Sequence, residues 1–458
     1  MALASTAVTA SPSQESEGLG VERLLGLWDL LVDPKVGIVS EVRELVPDDD
    51  DPDFFHYLSR ACDTRRFTAL RNFGNNGGVS THRYGALAKA IGEAIERYCG
   101  AIFEYESLVY ASYAELGVRG TPPEAFALYA PDQLSSDGFQ WKPFTEETPI
   151  AWTEGRSLVT DEDVLVPAAM VYVPYHYLGS RPDTPIVQPI STGLACGGSF
   201  AEAALSGTCE AIERDAFTLA WQARMSRPHI DEQSLPSSVR DLLRRYTEVG
   251  LRVELMDITT DIRVPTTLTV ALSEASTSPA VAVAAATDPR SERALVKSLE
   301  ELAHTRKFAK QVMEFTPELP IEVELGHPTV RDQVQHLRFY CPQGSKAFAE
   351  FSWASPESVP FDDLADCGDE SPAQALSTVT RELERRGLEP IACDLTTPDV
   401  RALGLSVVRV VVPGLNPLFM GYRNRALGGK RLYTIPQQLG QDGLEPGEPD
   451  NPYPHPFP

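Results

Sequence analysis

The pentapeptide Glu-Ala-Ile-Glu-Arg occurs twice in this chain, at residues 93–97 and again at residues 210–214. Each copy follows a glycine-rich stretch, residues 72–81 and 191–200, and then an alanine-rich segment of helical character. In a helix, glutamates at i and i+3 and an arginine at i+4 lie on one face. The sequence therefore predicts two similar helices, each with an acidic face and each preceded by a loop rich in backbone N–H groups.

Together, the two acidic faces suit a site for metal ions and a polyphosphate. Oxygen ligands are those that Mg2+ prefers, arginine binds phosphate through paired N–H groups, and glycine loops at helix starts bind anions. A single copy is more simply explained as a solvated helix face with a weak ion pair. Its recurrence behind a similar loop, on helices that are apolar on most sides, favours the binding site instead.

The overall charge and the cysteines exclude several classes of partner and compartment. The chain has 458 residues, a formal net charge of −25 and a pI near 4.7, whereas nucleic acids and anionic membranes select basic patches. The seven cysteines form no CxxC pair, which favours reduced thiols in the cytoplasm. Residues 1–20 have no basic or apolar region, so they predict no signal peptide. We expect a cytoplasmic protein without nucleic-acid or membrane partners.

Composition divides the chain into four segments. We predict a disordered tail over residues 1–20, a helical and linker segment over 21–60 with an acidic run at 47–53, a main domain over 61–440, and a proline-rich tail over 441–458. Within the main domain, strand-like and helix-like patterns alternate. This alternation predicts an α/β or α+β fold with mixed sheets.

Five stretches of the sequence together resemble the YcaO family, and the likeness extends over residues 67–458. They are residues 92–100 (GEAIERYCG), 150–167 (IAWTEGRSLVTDEDVLVP), 191–217 (STGLACGGSFAEAALSGTCEAIERDAF), 394–398 (DLTTP) and 407–415 (VVRVVVPGL). The third of these stretches matches the family pattern over its whole length and is the most specific. The resemblance implies a YcaO-type fold of mixed sheets and helices, with an ATP site between the acidic helices.

The terminal sequence PHPFP, residues 454–458, resembles the ending of YcaO cyclodehydratases (D proteins) that make azolines in ribosomally synthesised peptide natural products. In that subset, Cys, Ser or Thr of a precursor peptide attacks the preceding carbonyl, ATP phosphorylates the resulting oxygen, and loss of phosphate leaves a thiazoline or oxazoline. The acidic helices agree with this chemistry, because phosphorylation of an amide oxygen requires a Mg2+-bridged triphosphate. The resemblance therefore implies an ATP- and Mg2+-dependent enzyme of antibiotic biosynthesis.

The resemblance also assigns roles to residues, some of them on a third helix predicted over residues 291–312. The implied metal ligands are Glu93, Glu96, Glu210, Glu213 and Glu300. The implied nucleotide contacts are Ser80, Lys89, Glu93, Glu96, Ser191, Glu210, Glu213, Arg214 and His304. Since the family's terminus reaches into the active site, His455 or the α-carboxylate of Pro458 is expected to act in proton transfer. A docking peptide for an aromatic groove is the alternative for this tail.

Three positions depart from the family pattern. Lys89 stands where the motif has serine, the first glycine-rich stretch lacks the lysine of a Gly-Lys-Gly sequence, and His304 replaces a glutamine. Two alternatives therefore stay open: a non-catalytic scaffold with a degenerate ATP site, and a YcaO enzyme that forms thioamides or amidines. The five intact glutamates and the proline-rich end favour the azoline-forming enzyme, because clustered carboxylates are costly to keep without a function.

The expected partners follow from what the chain lacks. We expect a precursor peptide as the substrate and a separate protein that binds its leader. No leader-binding winged helix or E1-like module is visible, and the first sixty or so residues are too few and too acidic to hold both. A homodimer is what the family resemblance implies.

Overall fold

The computed structural model of the chain describes residues 21–316, 330–368 and 371–457. Over these ranges, strands and helices alternate in a mixed α+β fold, which confirms the predicted fold class. The predicted disordered tail, residues 1–20, and the predicted catalytic residue Pro458 lie outside the described residues.

The elements are numbered in chain order. The strands are β1 (Val39–Leu45), β2 (Phe55–Ala61), β3 (Asn75–Ser80), β4 (Val109–Ala111), β5 (Ile150–Ser157), β6 (Asp163–Pro167), β7 (Leu194–Gly197), β8 (His229–Ile230), β9 (Arg252–Asp257), β10 (Thr266–Leu272), β11 (Val281–Thr287), β12 (Ser358–Val359), β13 (Ile391–Asp394) and β14 (Ser406–Val411). The α-helices are α1 (Trp28–Leu31), α2 (Arg83–Gly100), α3 (Tyr113–Leu116), α4 (Pro131–Ser135), α5 (Phe200–Gln222), α6 (Ser237–Glu248), α7 (Ser291–Phe315), α8 (Gln333–Phe339), α9 (Lys346–Ala349), α10 (Pro372–Glu384), α11 (Pro398–Ala402) and α12 (Ile435–Gln438). None of the helices in the described ranges has the length and apolar character that a membrane span requires.

The strands form three sheets. β1, β2 and β3 pair antiparallel in a small N-terminal sheet. A central sheet has the order β4-β5-β13-β14-β7, with β6 paired to β5. A third sheet has the order β11-β10-β9-β8-β12. Each sheet contains one strand that leads directly into a long helix, since β3 precedes α2, β7 precedes α5 and β11 precedes α7.

The two helices that carry the acidic repeat lie on opposite faces of strand β14. Successive side chains of a strand point to opposite faces of its sheet. Val407 packs with the apolar side of α2, whereas Val408 and Val410 pack with that of α5. Because both helices contact one strand, the position of each acidic repeat is fixed relative to the other.

Both glycine-rich stretches contain strands, so the loops predicted over residues 72–81 and 191–200 were wrong where β3 and β7 lie. Glycine serves close packing at these positions. A β-carbon on Gly78 would overlap the backbone of α2, and Gly193 has a φ of 86°, which favours glycine. Pairing of β3 with β2, and of β7 with β14, overrides the local preference of glycine for loops.

Residues 21–60 form more than the predicted helical linker. Besides α1, this segment contains β1 and most of β2, which belong to the N-terminal sheet. The acidic run within it is bound to helix α7, where Asp51 lies 2.6 Å from Arg306 and 2.5 Å from Lys307. The linker prediction failed because the local sequence does not reveal partners that are distant in the chain.

The proline-rich tail folds back onto helix α5. Trp221 Nε1 donates a hydrogen bond to the carbonyl of Tyr453 at 3.1 Å. The Phe457 ring lies 4.4 Å from the Phe217 ring, centroid to centroid. Residues 451–457 of the tail are therefore part of the folded core, whereas residues 445–449 are exposed.

Candidate active site

Helix α2 presents the first acidic repeat to two sheets. Glu93 Oε2 accepts a hydrogen bond from Gly77 N of β3 at 2.7 Å, and Glu93 Oε1 lies 3.2 Å from Arg97 Nη2. One turn along the helix, Glu96 Oε1 accepts a hydrogen bond from Cys196 N of β7 at 2.9 Å. The first glutamate thus binds the strand before its own helix, and the second binds a strand of the next sheet.

Helix α5 repeats this arrangement. Glu210 Oε2 accepts a hydrogen bond from Gly193 N at 3.1 Å, just before β7, and Glu210 Oε1 lies 3.4 Å from Arg214 Nη2. Glu213 Oε2 accepts a hydrogen bond from Thr287 N at 3.2 Å, at the end of β11. The repeated pentapeptide therefore corresponds to a repeated geometry, in which each acidic helix joins its own sheet to the next.

Burial outweighs the nearby arginines at two of the four repeat glutamates. Burial raises the pKa of Glu96 to about 8, with Arg97 opposing the rise and Glu210 adding to it. Burial likewise raises the pKa of Glu213 to about 8, with Arg214 opposing the rise and Glu210 adding to it. Because Glu210 acts on both carboxyls, the two acidic faces lie near each other. Buried carboxyls with raised pKa values are those that an added cation would stabilise in the charged form.

The third helix, α7, brings Glu300 to the end of β3. Ser80 Oγ and Thr81 N each donate a hydrogen bond to Glu300 Oε1 at 2.8 Å. Lys89 Nζ of α2 lies 2.6 Å from Glu300 Oε2. Burial alone would raise the pKa of Glu300, but the ammonium of Lys89 lowers it below the ordinary value. Three residues of the predicted site, Ser80, Lys89 and Glu300, thus form one cluster.

The neighbours of Glu300 on α7 reach both repeats. His304, one turn further on, lies so close to Gly77 that a β-carbon there would overlap the imidazole ring. The charge of Glu301 also raises the pKa of Glu213, although by less than burial does. Helix α7 therefore lies beside the first repeat through His304 and beside the second through Glu301.

Two arginines, half-buried Arg214 and buried Arg409, keep buried N–H groups without hydrogen-bond partners in the described part of the chain. These groups are Nε and Nη1 of Arg214, although its Nε lies 3.5 Å from Glu213 Oε1. They are also Nε and Nη1 of Arg409, which is 4% exposed and whose Nη2 donates to Ile190 O at 2.8 Å. Burial lowers the pKa of Arg409 to about 10, opposed by Glu210. Because unpaired buried donors are costly, both guanidinium groups suit an anion.

Arg409 was not among the predicted site residues. It is the one charged residue in strand β14, whose sequence is SVVRVV. A charged side chain between β-branched residues of a buried strand requires a partner, and this signal was present in the sequence. The backbone donors of Cys196 and Thr287 were also missed, because backbone N–H groups leave no mark on a sequence.

The match to a family profile covers this whole arrangement. The profile described as YcaO cyclodehydratase, ATP- and Mg2+-binding, matches residues 77–416, which is more than half of the chain. The match begins at the glycine that binds Glu93 and includes both repeats, α7 and β14. The chain belongs to the YcaO family. The predicted family and its predicted ligands, ATP and Mg2+, are thereby confirmed.

Solved structures share the YcaO fold. A heterocyclase in complex with substrate and cofactor has a TM-score of 0.77 at 22% identity, over 96% of this chain and 57% of that one. The YcaO protein of Methanopyrus kandleri bound with AMPPCP and Mg2+ has a TM-score of 0.61 at 22% identity, over 93% and 95%. A chain of the E. coli microcin synthetase McbBCD complex with pro-MccB17 bound has a TM-score of 0.59 at 15% identity, over 93% of this chain and 99% of that one. This chain thus spans little more than half the length of the first heterocyclase, and these likenesses establish the fold.

The residues of this YcaO chain fit a nucleotide with Mg2+. The repeat glutamates supply hard oxygen ligands, and the pKa values of two of them, Glu96 and Glu213, stay raised despite the nearby arginines. Arg214 and Arg409 supply buried N–H groups that remain unpaired within the described residues. Ser191, a further predicted contact, is half-buried in the turn before β7, where its carbonyl accepts a hydrogen bond from Leu194 N at 3.0 Å. The role of each residue toward the nucleotide or metal stays a prediction.

The proline-rich tail ends against the second repeat. The ring of Phe457 lies 4.4 Å from the guanidinium carbon of Arg214. His455 is fully buried, its Nε2 lies 2.7 Å from the carbonyl oxygen of Phe419, and its ring stacks on His336 at 4.1 Å. Burial lowers the pKa of His455 well below the ordinary value. These contacts fix the tail in place, and proton transfer by His455 stays a prediction.

Proposed function

We propose that this YcaO chain is an ATP- and Mg2+-dependent cyclodehydratase that converts Cys, Ser or Thr of a ribosomal precursor peptide into thiazoline or oxazoline. The observation that carries the proposal is the unbalanced charge at the two repeats. Glu96 and Glu213 are half-buried and have raised pKa values, while Arg214 and Arg409 keep N–H groups unpaired in the described part of the chain. A Mg2+-bound triphosphate supplies a cation to the two glutamates and an anion to the two arginines.

The proposed reaction converts an amide oxygen into a leaving group. The thiol or hydroxyl of the substrate adds to the preceding carbonyl carbon, and its proton passes to a base. The former carbonyl oxygen takes the γ-phosphoryl group of ATP, which releases ADP. Loss of phosphate and of the proton on the amide nitrogen then forms the C=N bond of the azoline. For these reaction steps, the protein has mainly to position the reactants and to stabilise the charge that develops.

The side chains of the site would divide these tasks. The repeat glutamates offer carboxylate oxygens whose orientation is set by hydrogen bonds from backbone N–H groups. Arg214 and Arg409 would bind phosphate oxygens, and Arg409 is already oriented by its bond to Ile190 O. Ser80, Ser191 and His304 would border the nucleotide. Such preorganised donors act without reorganisation during the reaction.

The proline-rich tail and a partner protein would handle the peptide. Because Phe457 contacts Arg214, the tail approaches the proposed phosphate site, and we include proton transfer by His455 or Pro458 in the proposal. A separate leader-binding protein is supported by the McbBCD likeness, since that synthetase is a complex that has been solved with pro-MccB17 bound. A homodimer remains the expectation from the family.

An oxygen label tests the proposed reaction. The chain is incubated with ATP, Mg2+, a candidate leader-binding partner and a precursor peptide that carries 18O at the backbone carbonyl before each candidate residue. We expect the peptide to lose the mass of one water per ring and the 18O to appear in phosphate. Glu210→Gln is the control for ATP-dependent transfer and should leave the label in the peptide.

Other outcomes of this experiment separate the alternatives. Label in phosphate, with sulfur in place of the lost oxygen, would indicate a thioamide-forming enzyme. Loss of one water that consumes an amine instead of Cys, Ser or Thr, located by fragmentation of the peptide, would indicate an amidine-forming enzyme. Label retained in the peptide without ADP formation, although the partner and peptide bind, would indicate a non-catalytic scaffold. Each of these results would contradict the azoline proposal.

A further inference from the structure

Glu300 differs from the repeat glutamates because a protein cation already contacts it closely. Lys89 Nζ lies 2.6 Å from its Oε2, while Ser80 Oγ and Thr81 N each donate to its Oε1 at 2.8 Å. Both carboxylate oxygens are thus engaged, and the side chain is only 6% exposed. The arginine contacts of the repeat glutamates are longer, between 3.2 and 3.5 Å.

The position of Lys89 is fixed by strand β3. A β-carbon on Gly78 would overlap the β-carbon of Lys89, so the glycine allows the strand to touch the base of the lysine. Lys89 precedes Glu93 by one turn of α2, and its side chain is 39% exposed. The ammonium therefore reaches the buried carboxylate of Glu300 from the solvent side, and the pair joins α2 to α7 within the predicted metal site.

We propose that the ammonium of Lys89 takes the place of a divalent cation at Glu300, so that metal ions bound with nucleotide are held by the four glutamates of the two repeats. The inference rests on the proposed nucleotide site and specifies its metal content. A close ammonium supplies the charge and the hydrogen-bond donors that a carboxylate requires. A Mg2+ ion on the same oxygen would lie about 2 Å from it, next to the ammonium, where two cations repel each other.

Counting the bound metal tests this inference. Mn2+ replaces Mg2+, and the loss of the electron paramagnetic resonance signal of free Mn2+ gives the number bound per chain at saturating nonhydrolysable ATP analogue. We expect Lys89→Met to bind one more Mn2+ than the unaltered chain and Glu300→Gln to bind the same number. Lys297→Met is the matched control, because Lys297 is also 39% exposed and lies 2.6 Å from buried Asp288. Its count should equal that of the unaltered chain.

The opposite results would overturn the inference. An unchanged count in Lys89→Met would show that the ammonium does not take the place of a cation, and the loss of one Mn2+ in Glu300→Gln would return Glu300 to the metal shell. Glu300→Gln decides alone if Lys89→Met does not fold. Absence of any nucleotide-dependent Mn2+ binding by the unaltered chain would contradict the proposed function itself, and this result differs from a change in count between variants.

Discussion

Two acidic regions contact different parts of helix α7, and their charges are balanced in different ways. In the first, which we call the aspartate cluster, six side chains form ion pairs of 2.5 to 3.1 Å: Asp48, Asp50, Asp51, Arg306, Lys307 and Lys310. Burial alone would raise the pKa of Asp51, but hydrogen bonds from Lys307 and Lys310 lower it overall. At the acidic repeats, burial instead raises the pKa of Glu96 and Glu213.

This difference distinguishes a structural cluster from the proposed binding site. Carboxylate oxygens of Asp48, Asp50 and Asp51 lie within 4.8 Å of one another, and no other group of three acidic, histidine or cysteine residues in the described ranges is as compact. Spacing alone would therefore favour the aspartate cluster as a metal site. Three protein cations already balance its three carboxylates, whereas three arginines, Arg97, Arg214 and Arg409, lie near four repeat glutamates and leave the pKa values of Glu96 and Glu213 raised. Charge balance, rather than closeness of carboxylates, indicates where an added cation is expected.

The largest expected effect is a loss of stability at the aspartate cluster. Asp51→Asn removes the carboxylate that lies 2.6 Å from Arg306, and both side chains are 2% exposed. Loss of one partner from a buried ion pair costs about 3–5 kcal/mol. Urea unfolding should show this loss, while affinity for a nonhydrolysable ATP analogue stays unchanged.

A control and a contradicting result complete this test of the aspartate cluster. Lys346→Met removes the partner of Glu274 at the surface, where Glu274 is 94% exposed, and should leave the unfolding midpoint unchanged. Weakened nucleotide binding in Asp51→Asn, without a loss of stability, would assign the aspartate cluster to the binding site and invert the comparison.

Substitution in the second repeat is expected to change a smaller free energy, that of the transition state for ATP turnover, but to lower the turnover rate greatly. Glu210→Gln should lower ATP turnover by at least about 100-fold, or about 2.7 kcal/mol, because a charge that orients the phosphate site is lost. The thermal midpoint should not fall. Glu202→Gln is the matched control, since Glu202 lies on the same helix and also accepts a hydrogen bond from a glycine, Gly198 N, at 2.9 Å. An unaltered ATPase rate in Glu210→Gln would exclude Glu210 from the site.

Substitution of Arg409 is expected to have an effect of intermediate size on nucleotide binding. Arg409→Met should weaken binding of the ATP analogue by about tenfold, or about 1.4 kcal/mol, without loss of stability, because unpaired buried donors are removed. Isothermal titration calorimetry and thermal unfolding measure the two quantities. Arg401→Met is the control, since Arg401 is 59% exposed and contacts Asp394. Unchanged affinity with reduced stability would give Arg409 a structural role.

The smallest expected effect is on the pH dependence of stability without ligand. The pKa values of Glu96 and Glu213 are raised from 4.5 to about 8 on folding, so folding is disfavoured progressively as pH rises through this range. The thermal midpoint should fall by a few degrees between about pH 6 and pH 9. Glu96→Gln with Glu213→Gln should flatten this slope, and a slope retained in the double variant would contradict the assignment.

The aspartate cluster should show the opposite sign. The pKa of Asp51 is lowered on folding from 3.8, so its contribution to stability is present above that value and is lost as pH falls below it. Asp51→Asn should therefore reduce the loss of stability in acid and leave the alkaline slope unchanged. This contrast in sign distinguishes the two acidic regions in one set of unfolding curves.

Features encoded by neighbouring residues were predicted well. The helices that carry the repeats were expected from their alanine-rich apolar segments and from glutamates three residues apart. The third helix, with Glu300, was expected from Asp288 and Pro289 at its start. The fold class followed from the alternation of strands and helices. The resemblance to one family added the site residues, of which Lys89 and Glu300 prove to be in direct contact.

Features that depend on distant residues could not be predicted. Lys89 and Glu300 are 211 residues apart in the chain, and Asp51 and Arg306 are 255 apart. Arg409 is oriented by a carbonyl 219 residues away. No local pattern reveals such partners, so the contact of Lys89 with Glu300 was not predicted, and the acidic run was predicted to be a linker; contact of Lys89 with nucleotide stays a prediction. Charge balance was thus the property least accessible from the sequence.

The central claim is that the acidic repeats bind a nucleotide together with Mg2+, and calorimetry tests it most directly. The purified chain is titrated with a nonhydrolysable ATP analogue and Mg2+, and the titration is repeated on Glu93→Gln and Asp51→Asn. The account predicts micromolar binding to the unaltered chain and to Asp51→Asn, and its loss in Glu93→Gln. No binding by the unaltered chain, alone or with its partner, would contradict the account and favour a non-catalytic scaffold.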